Sequence, residues 1–192
     1  MKVIQLHQEE KQLIMLAVEN NRQAQQQIYA KFSSKMLSVC RQYIKDIHHA
    51  EDVMITGFMK VFTNLKNFEH KGSFEGWIRR IMVYECIDFL RVKKNNFNHQ
   101  DIDDVMISEN ESVYEMEDFS VDDIQDMIDN LPDGYKMVFN LYAIEGYKHQ
   151  EIAEMLKISE GTSKSQLSHA RKLLQQQITE LKKKLNDIAT IR

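Results

Sequence analysis

The chain has 192 residues, 43% of them apolar, with one proline and six glycines, a composition that suits an all-α fold built on one ordinary core or two small ones. Apolar stretches such as residues 81–84 fall far short of the roughly 20 residues that span a bilayer, and the start MKVIQLHQEEK lacks a signal-peptide core, so a cytoplasmic protein without membrane insertion is expected. The formal charge of −4 is sorted by position: residues 1–97 carry 15 Lys+Arg against 10 Asp+Glu, residues 98–133 carry none against 13, and residues 134–192 carry 10 against 6. Two basic blocks flanking an acidic one suggest two polyanion-facing modules joined by a segment that avoids polyanions or occupies a basic channel; a solvated acidic loop between ordinary domains is the plain alternative.

In chain order, apolar residues recur at three and four over residues 9–18, 23–44, 50–67 and 73–94, which predicts four helices packed as a bundle. Ile28, Phe32, Met36, Val39 and Tyr43 form one stripe, and Val53, Met54, Phe58, Val61, Phe62 and Leu65 another. Ser73 is placed to cap the fourth helix after a turn at Lys71 and Gly72. From about 95 to 120 the helical period lapses into an acidic linker, longer than a connection inside a compact domain and therefore disordered or functional. A helical pattern resumes with Val121, Ile124, Met127, Ile128 and Leu131, and Pro132 breaks it.

After Pro132 the sequence predicts a helix over 135–145, a stop at Gly146, a short helix over 149–156, a turn through Lys157 and Ile158, and a long helix from Ser159. Ala153 supplies a small residue where two helices approach, Ile158 plugs the turn and Ser159 caps the last helix, which is the spacing of a helix-turn-helix. With Leu167, Leu174, Ile178, Leu181 and Leu185 turned inward, Lys164, Ser165, Ser168, His169 and Lys172 share a face fit for a major groove. Lys164 can donate to guanine, the serines can bond any base, His169 can donate to an acceptor, and Arg171 and Lys172 reach phosphate; Thr162 stands at the start of the same face. A plain helical hairpin with a solvated polar side is the competing reading.

On the helix over 73–94, Ile78, Ile81, Met82 and Phe89 read as core, with Trp77 packed rather than stacked on a base. Arg80, Tyr84, Arg91 and Lys94 form another stripe that could track a single-stranded backbone, Tyr84 offering a stacking surface, or could be only a solvated face. Cys40 and Cys86 have no CxxC spacing and read as buried reduced thiols; no metal, cofactor or catalytic residue is expected. His48 and His49 read as solvent-facing in a turn, and no Gly-rich phosphate loop is present, so an enzyme is not expected.

Three ordered stretches, HHAEDVMITGFMKVF, SFEGWIRRIMVYECIDFLRVKK and LPDGYKMVFNLYAIEGYKHQEIAEMLKISEGTSKSQLSHARKLL, together resemble the extracytoplasmic-function group of sigma-70-type factors of RNA polymerase. The resemblance implies a sigma-2-like domain over 1–97, an acidic linker over 98–120 and a sigma-4-like helix-turn-helix domain over 121–192. It implies that Asp52, Phe58, Met59 and Phe62 dock on the beta-prime clamp helices of core RNA polymerase, and that Arg80, Tyr84, Arg91 and Lys94 hold the melted minus-10 strand. It also implies that the helix-turn-helix reads the minus-35 duplex beside the beta flap, and that an anti-sigma factor is a partner. The linker, with Asp101, Asp103, Asp104, Glu109 and Glu111, would suit the channel that nascent RNA later fills. Departures from the family pattern are Ile55 and Thr56 for Gln-Glu, Tyr84 for Asn, Lys148 for an N-cap Ser, Ser163 for Val and His169 for a basic residue. The alternative is a helix-turn-helix regulator that acts without being a polymerase subunit.

Overall fold

The computed structural model describes residues 2–96 and 120–190, so the linker carboxylates lie outside the described residues. The chain divides into two compact units, and the regular elements among the described residues are all helical. In the first unit α1 (Lys2–Val18) lies on α2 (Arg22–Tyr43), while α2, α3 (Ile47–Asn64) and α4 (Phe74–Asn96) pack on one another. A single 3-10 turn (Leu65–Asn67) ends α3.

The periodic stripe of α2 is buried along its length at Ile28, Phe32, Met36, Val39 and Tyr43. Each fully buried apolar side chain of this size contributes about 1.5–3 kcal/mol of transfer free energy, far more than helix propensity supplies. Cys40 and Cys86 are buried free thiols in the same core. Trp77 is half-buried in an aromatic cluster, its ring centroid 5.5 Å from Phe68 and 5.9 Å from Phe74.

Helix α3 starts three residues before the apolar period suggests. Asp46 is the reason: its Oδ1 accepts the His49 N–H at 3.0 Å, satisfying an otherwise orphaned donor. That backbone hydrogen bond holds the Asp46 carboxyl below the usual carboxylate range, with smaller help from the two neighbouring histidines. His48 and His49 are therefore exposed in the first turn of α3 rather than in a connecting turn. At the other end of the hairpin, Ser73 caps α4 by accepting the Gly76 N–H at 3.0 Å, after Gly72 turns the chain at φ 100.

In the second unit, α5 (Val121–Asp129) opens with a capping box between Ser120 and Asp123. Pro132 stands immediately before α6 (Asp133–Phe139), which runs into a single π-helical turn (Asn140–Ile144) where a continuous α-helix is expected from sequence. Gly146, at φ 77, stops this helix, and α7 (His149–Leu156) and α8 (Glu160–Thr190) follow. Lys157 joins them in the left-handed region at φ 57, with the Ile158 N–H closing on the Ala153 carbonyl at 3.1 Å. Burial along α8 is complete at Leu167 and partial at Leu174, Ile178 and Leu181; the Leu185 side chain lies outside the described residues. Helices of seven and eight residues extend about 10–12 Å each, whereas the 31 residues of α8 extend about 46 Å. No helix among the described residues is long and apolar enough to cross a membrane.

Two substitutions probe these units. A Cβ on Gly57 would collide with the Sδ of Met82, itself fully buried, where α3 meets α4. Gly57→Val should lower the unfolding free energy by about 2 kcal/mol in urea melts, and Gly57→Ala by less, since Ala regains about 1 kcal/mol of helix propensity. Between α5 and α6, the Lys136 ammonium lies 3.2 Å from the Asp129 carboxylate with both side chains buried. Lys136→Met should cost about 3 kcal/mol by removing the ammonium that faces a buried carboxylate, and adding Asp129→Leu should recover most of that loss.

Candidate nucleic-acid interface

The outer face of α8 is set by what the helix buries. Ser163, Leu167 and Ala170 are 0%, 4% and 0% exposed, which fixes the rotation of the helix against α6 and α7. At 100° per residue, Ser165, Ser168 and Lys172 lie opposite that buried side and Lys164 and Arg171 rise from its flank, about 80–100° from Ser163; all are exposed except Lys172, which is half-buried. Two of the sequence candidates do something else. Thr162 closes the first turn: its N–H donates to Ser159 Oγ at 2.9 Å and its carbonyl accepts the Ser165 hydroxyl at 3.0 Å. His169 sits on the flank, half-buried, its ring stacked on Tyr135 at 5.4 Å with 13° between planes.

These partners narrow the chemistry of the face. Ser165 has spent its proton on Thr162, so it is left to accept from an amino group rather than donate. Lys164 is already paired, its ammonium 2.7 Å from the Glu160 carboxylate one turn earlier. The Lys164 hydrogen bond holds the Glu160 carboxyl below its usual range, so Glu160 is ionised at neutral pH. The sequence reading missed Glu160, although an acid four residues before a lysine is the visible signal. At the start of α7, Lys148 has no side-chain acceptor to offer as a cap; instead its backbone N–H donates to Glu151 Oε2 at 2.7 Å.

On α4, Arg80, Tyr84 and Arg91 follow one side of the helix. Arg80 is exposed with its guanidinium carbon 5.8 Å from the Tyr84 ring centroid, and Tyr84 is 37% exposed. Arg91 bonds Asp88 at 2.8 Å, a carboxylate inside the stripe that the sequence reading passed over. Lys94 lies on the helix, but its side chain is outside the described residues. The stripe is thus a cation resting on an aromatic ring, followed by a compensated arginine.

The α3 candidates separate. Asp52 and Met59 are exposed and Phe62 is half-buried, but Phe58 is 2% exposed, its ring 4.8 Å from Tyr29 and 6.1 Å from Phe62 inside the bundle. Adjacent helical residues point about 100° apart, so Phe58 and Met59 cannot share an outward face. Ile55, 48% exposed, takes the place assigned to Phe58 and lies between Asp52 and Met59 on the surface. Among the described residues no group of three or more His, Cys, Asp or Glu is placed to hold a metal ion.

Both units match family models: residues 28–96 match sigma-70 region 2, and residues 121–174 match sigma-70 region 4. The chain belongs to the sigma-70 family. Its relatives place this sigma factor in the extracytoplasmic-function group of RNA polymerase subunits that start transcription. It is 28% identical over 164 residues to the extracytoplasmic-function sigma factor SigW of Bacillus subtilis, covering 78% of this chain and 86% of that protein. It is 24% identical over 169 residues to the sigma-E factor of Haemophilus influenzae, covering 80% and 87%. In fold it is similar to the sigma factor RpoE of Bartonella quintana, solved with the anti-sigma factor NepR, at a TM-score of 0.53 and 18% identity over 80% of this chain and 96% of that one.

The Glu160–Lys164 pair of this sigma factor yields a direct expectation. Glu160→Gln should release Lys164 and remove an anion beside the duplex face, raising the affinity for a short duplex about threefold near 50 mM salt, with the gain fading at about 300 mM. Fluorescence anisotropy of a labelled oligonucleotide measures both.

Proposed function

We propose that this sigma factor divides promoter recognition between its two units: α8 reads the minus-35 duplex, α4 holds the opened minus-10 strand, and the exposed face of α3 docks on the beta-prime clamp helices of core RNA polymerase. The observation that carries the reading is the exposed set Lys164, Ser165, Ser168 and Arg171 on a helix whose inner side is locked by Ser163, Leu167 and Ala170. A helix so held can enter the major groove with one donor for bases and cations for phosphate. On α4, the Arg80–Tyr84 pair presents a charge for a phosphate beside a ring on which an unstacked base can lie. No catalytic group is needed, because capture of an unpaired base offsets the few kcal/mol that opening costs. On α3, Asp52, Ile55 and Met59 present an apolar strip with a carboxylate at one end, the chemistry of a helix-to-helix contact.

An anti-sigma partner fits the same surfaces. A relative of this fold is solved with its anti-sigma factor, and a protein covering α3 and α8 of this chain would block polymerase and duplex together. The linker carboxylates, Asp101, Asp103, Asp104, Glu109 and Glu111, suit a basic channel shaped for RNA.

Separation of function tests the division. Met59→Asp should weaken association with core polymerase at least tenfold while leaving duplex binding by the chain unchanged. Lys164→Ala should do the reverse, and Tyr84→Ala should cut transcription from a closed promoter more than from one opened in advance. Unchanged core affinity in Met59→Asp would sink the docking assignment; specific duplex binding with no association with core would favour the polymerase-independent regulator.

A further inference from the structure

The exposed Arg171 on α8 is not an isolated side chain. Its guanidinium carbon lies 5.7 Å from the ring centroid of Tyr142, on the π-helical turn. Tyr142 in turn stacks on His149, at the start of α7, with centroids 4.6 Å apart and 22° between planes. His149 Nδ1 is 2.9 Å from the hydroxyl of Ser163, which is fully buried on the inner side of α8. Ser163 and Arg171 are eight residues apart, about 12 Å along the helix axis. The four side chains therefore form an arc that leaves α8, crosses α7 and the π turn, and returns to α8 two turns later.

We propose that this arc positions Arg171 for a backbone phosphate of duplex DNA, with Tyr142 as the positioning residue and the His149–Ser163 hydrogen bond anchoring its base. The inference rests on the duplex-reading role of α8 and deepens it. The physical reasons are three. A long arginine left to itself loses rotamer freedom on contact with phosphate, and a ring beneath it means that less is lost. Tyr142 is 36% exposed, an aromatic ring kept at the surface because the π turn carries it outward over His149. Ser163, at a place where an apolar residue would pack equally well, has its hydroxyl matched to the imidazole. The arc holds one end of the outward face while Ser159 caps the other, so Lys164 and Ser168 lie between two fixed points.

The charges around the arc suit an anionic ligand such as a phosphate. Arg171 is exposed beside it, Lys164 and Lys172 lie on the same helix, and Glu160, a carboxylate that interacts with His149, is already held by Lys164.

The test is a double-mutant cycle on the full chain, with a mixed-sequence duplex oligonucleotide as the probe and binding measured across a salt series. Arg171→Gln should lower the salt slope by about one. Tyr142→Ala should weaken binding about threefold to tenfold in the presence of Arg171 and have no further effect in the Arg171→Gln background, while Tyr142→Phe, which keeps the ring, should bind as the parent does. His149→Phe and Ser163→Val should each weaken binding less than Tyr142→Ala and should not add to one another. Unchanged melting temperatures for the Tyr142 variants separate positioning from folding. An equal effect of Tyr142→Ala with and without Arg171, or no effect at all, overturns the arc while leaving α8 as the duplex reader; failure of the parent chain to bind duplex overturns both.

Discussion

The candidate DNA face of the second unit depends on how one helix is rotated. Burial of Ser163, Leu167 and Ala170 leaves α8 a single orientation against α6 and α7, and the outward set then follows from helical geometry. The rotation of one residue that brings Thr162 and His169 outward would turn Lys164 and Arg171 to the buried side, replacing a basic face by a more neutral one. Deep burial on the inner side is what prevents it. The same logic applies on α4, where Ile78, Met82, Val83, Cys86 and Ile87 are interior and the Arg80–Tyr84 side is left to solvent.

The ion pairs fall into two kinds with different consequences. Lys164–Glu160 and Arg91–Asp88 are exposed or half-exposed, within one helix, and lie on the candidate faces. Such pairs contribute about 0–1 kcal/mol in water and are readily exchanged for phosphate. They hold the cations in place on the candidate faces. Asp129–Lys136 is buried on both sides and joins α5 to α6 across Pro132. Its charges cannot be exchanged for an incoming ligand, and its role is to hold the helices that support α8. Position relative to solvent, more than charge itself, decides which pairs belong to recognition and which to the fold.

Much of this was legible because the signals are local. The stripe from Ile28 to Tyr43 repeats at helical spacing over about four turns, and each of its members is buried; Ser73 and Ser159 cap the helices that follow them, and Gly146 ends the one before it. What was not legible has equally specific causes. Phe58 satisfies both an apolar period and a family docking pattern, and only the packing of Tyr29 against its ring shows that it is buried in the bundle. Helix α3 begins early because an aspartate cap outweighs the lack of apolar period over Ile47 to His49. The π turn leaves no pattern in the sequence, since the extra residue shifts the phase only locally, yet it places Tyr142 beside His149 and Arg171. The engagement of Thr162 with Ser159 and of His169 with Tyr135 depends on contacts that spacing alone does not contain.

The most direct measurement is transcription by core RNA polymerase, with and without the chain, on genomic DNA fragments from the organism that encodes it. A promoter-directing subunit should form a stable complex with core and produce discrete 5′ ends that are absent when the chain is omitted. If the chain neither joins core nor creates start sites, yet binds duplex specifically by itself, then the division of labour between α3, α4 and α8 is contradicted.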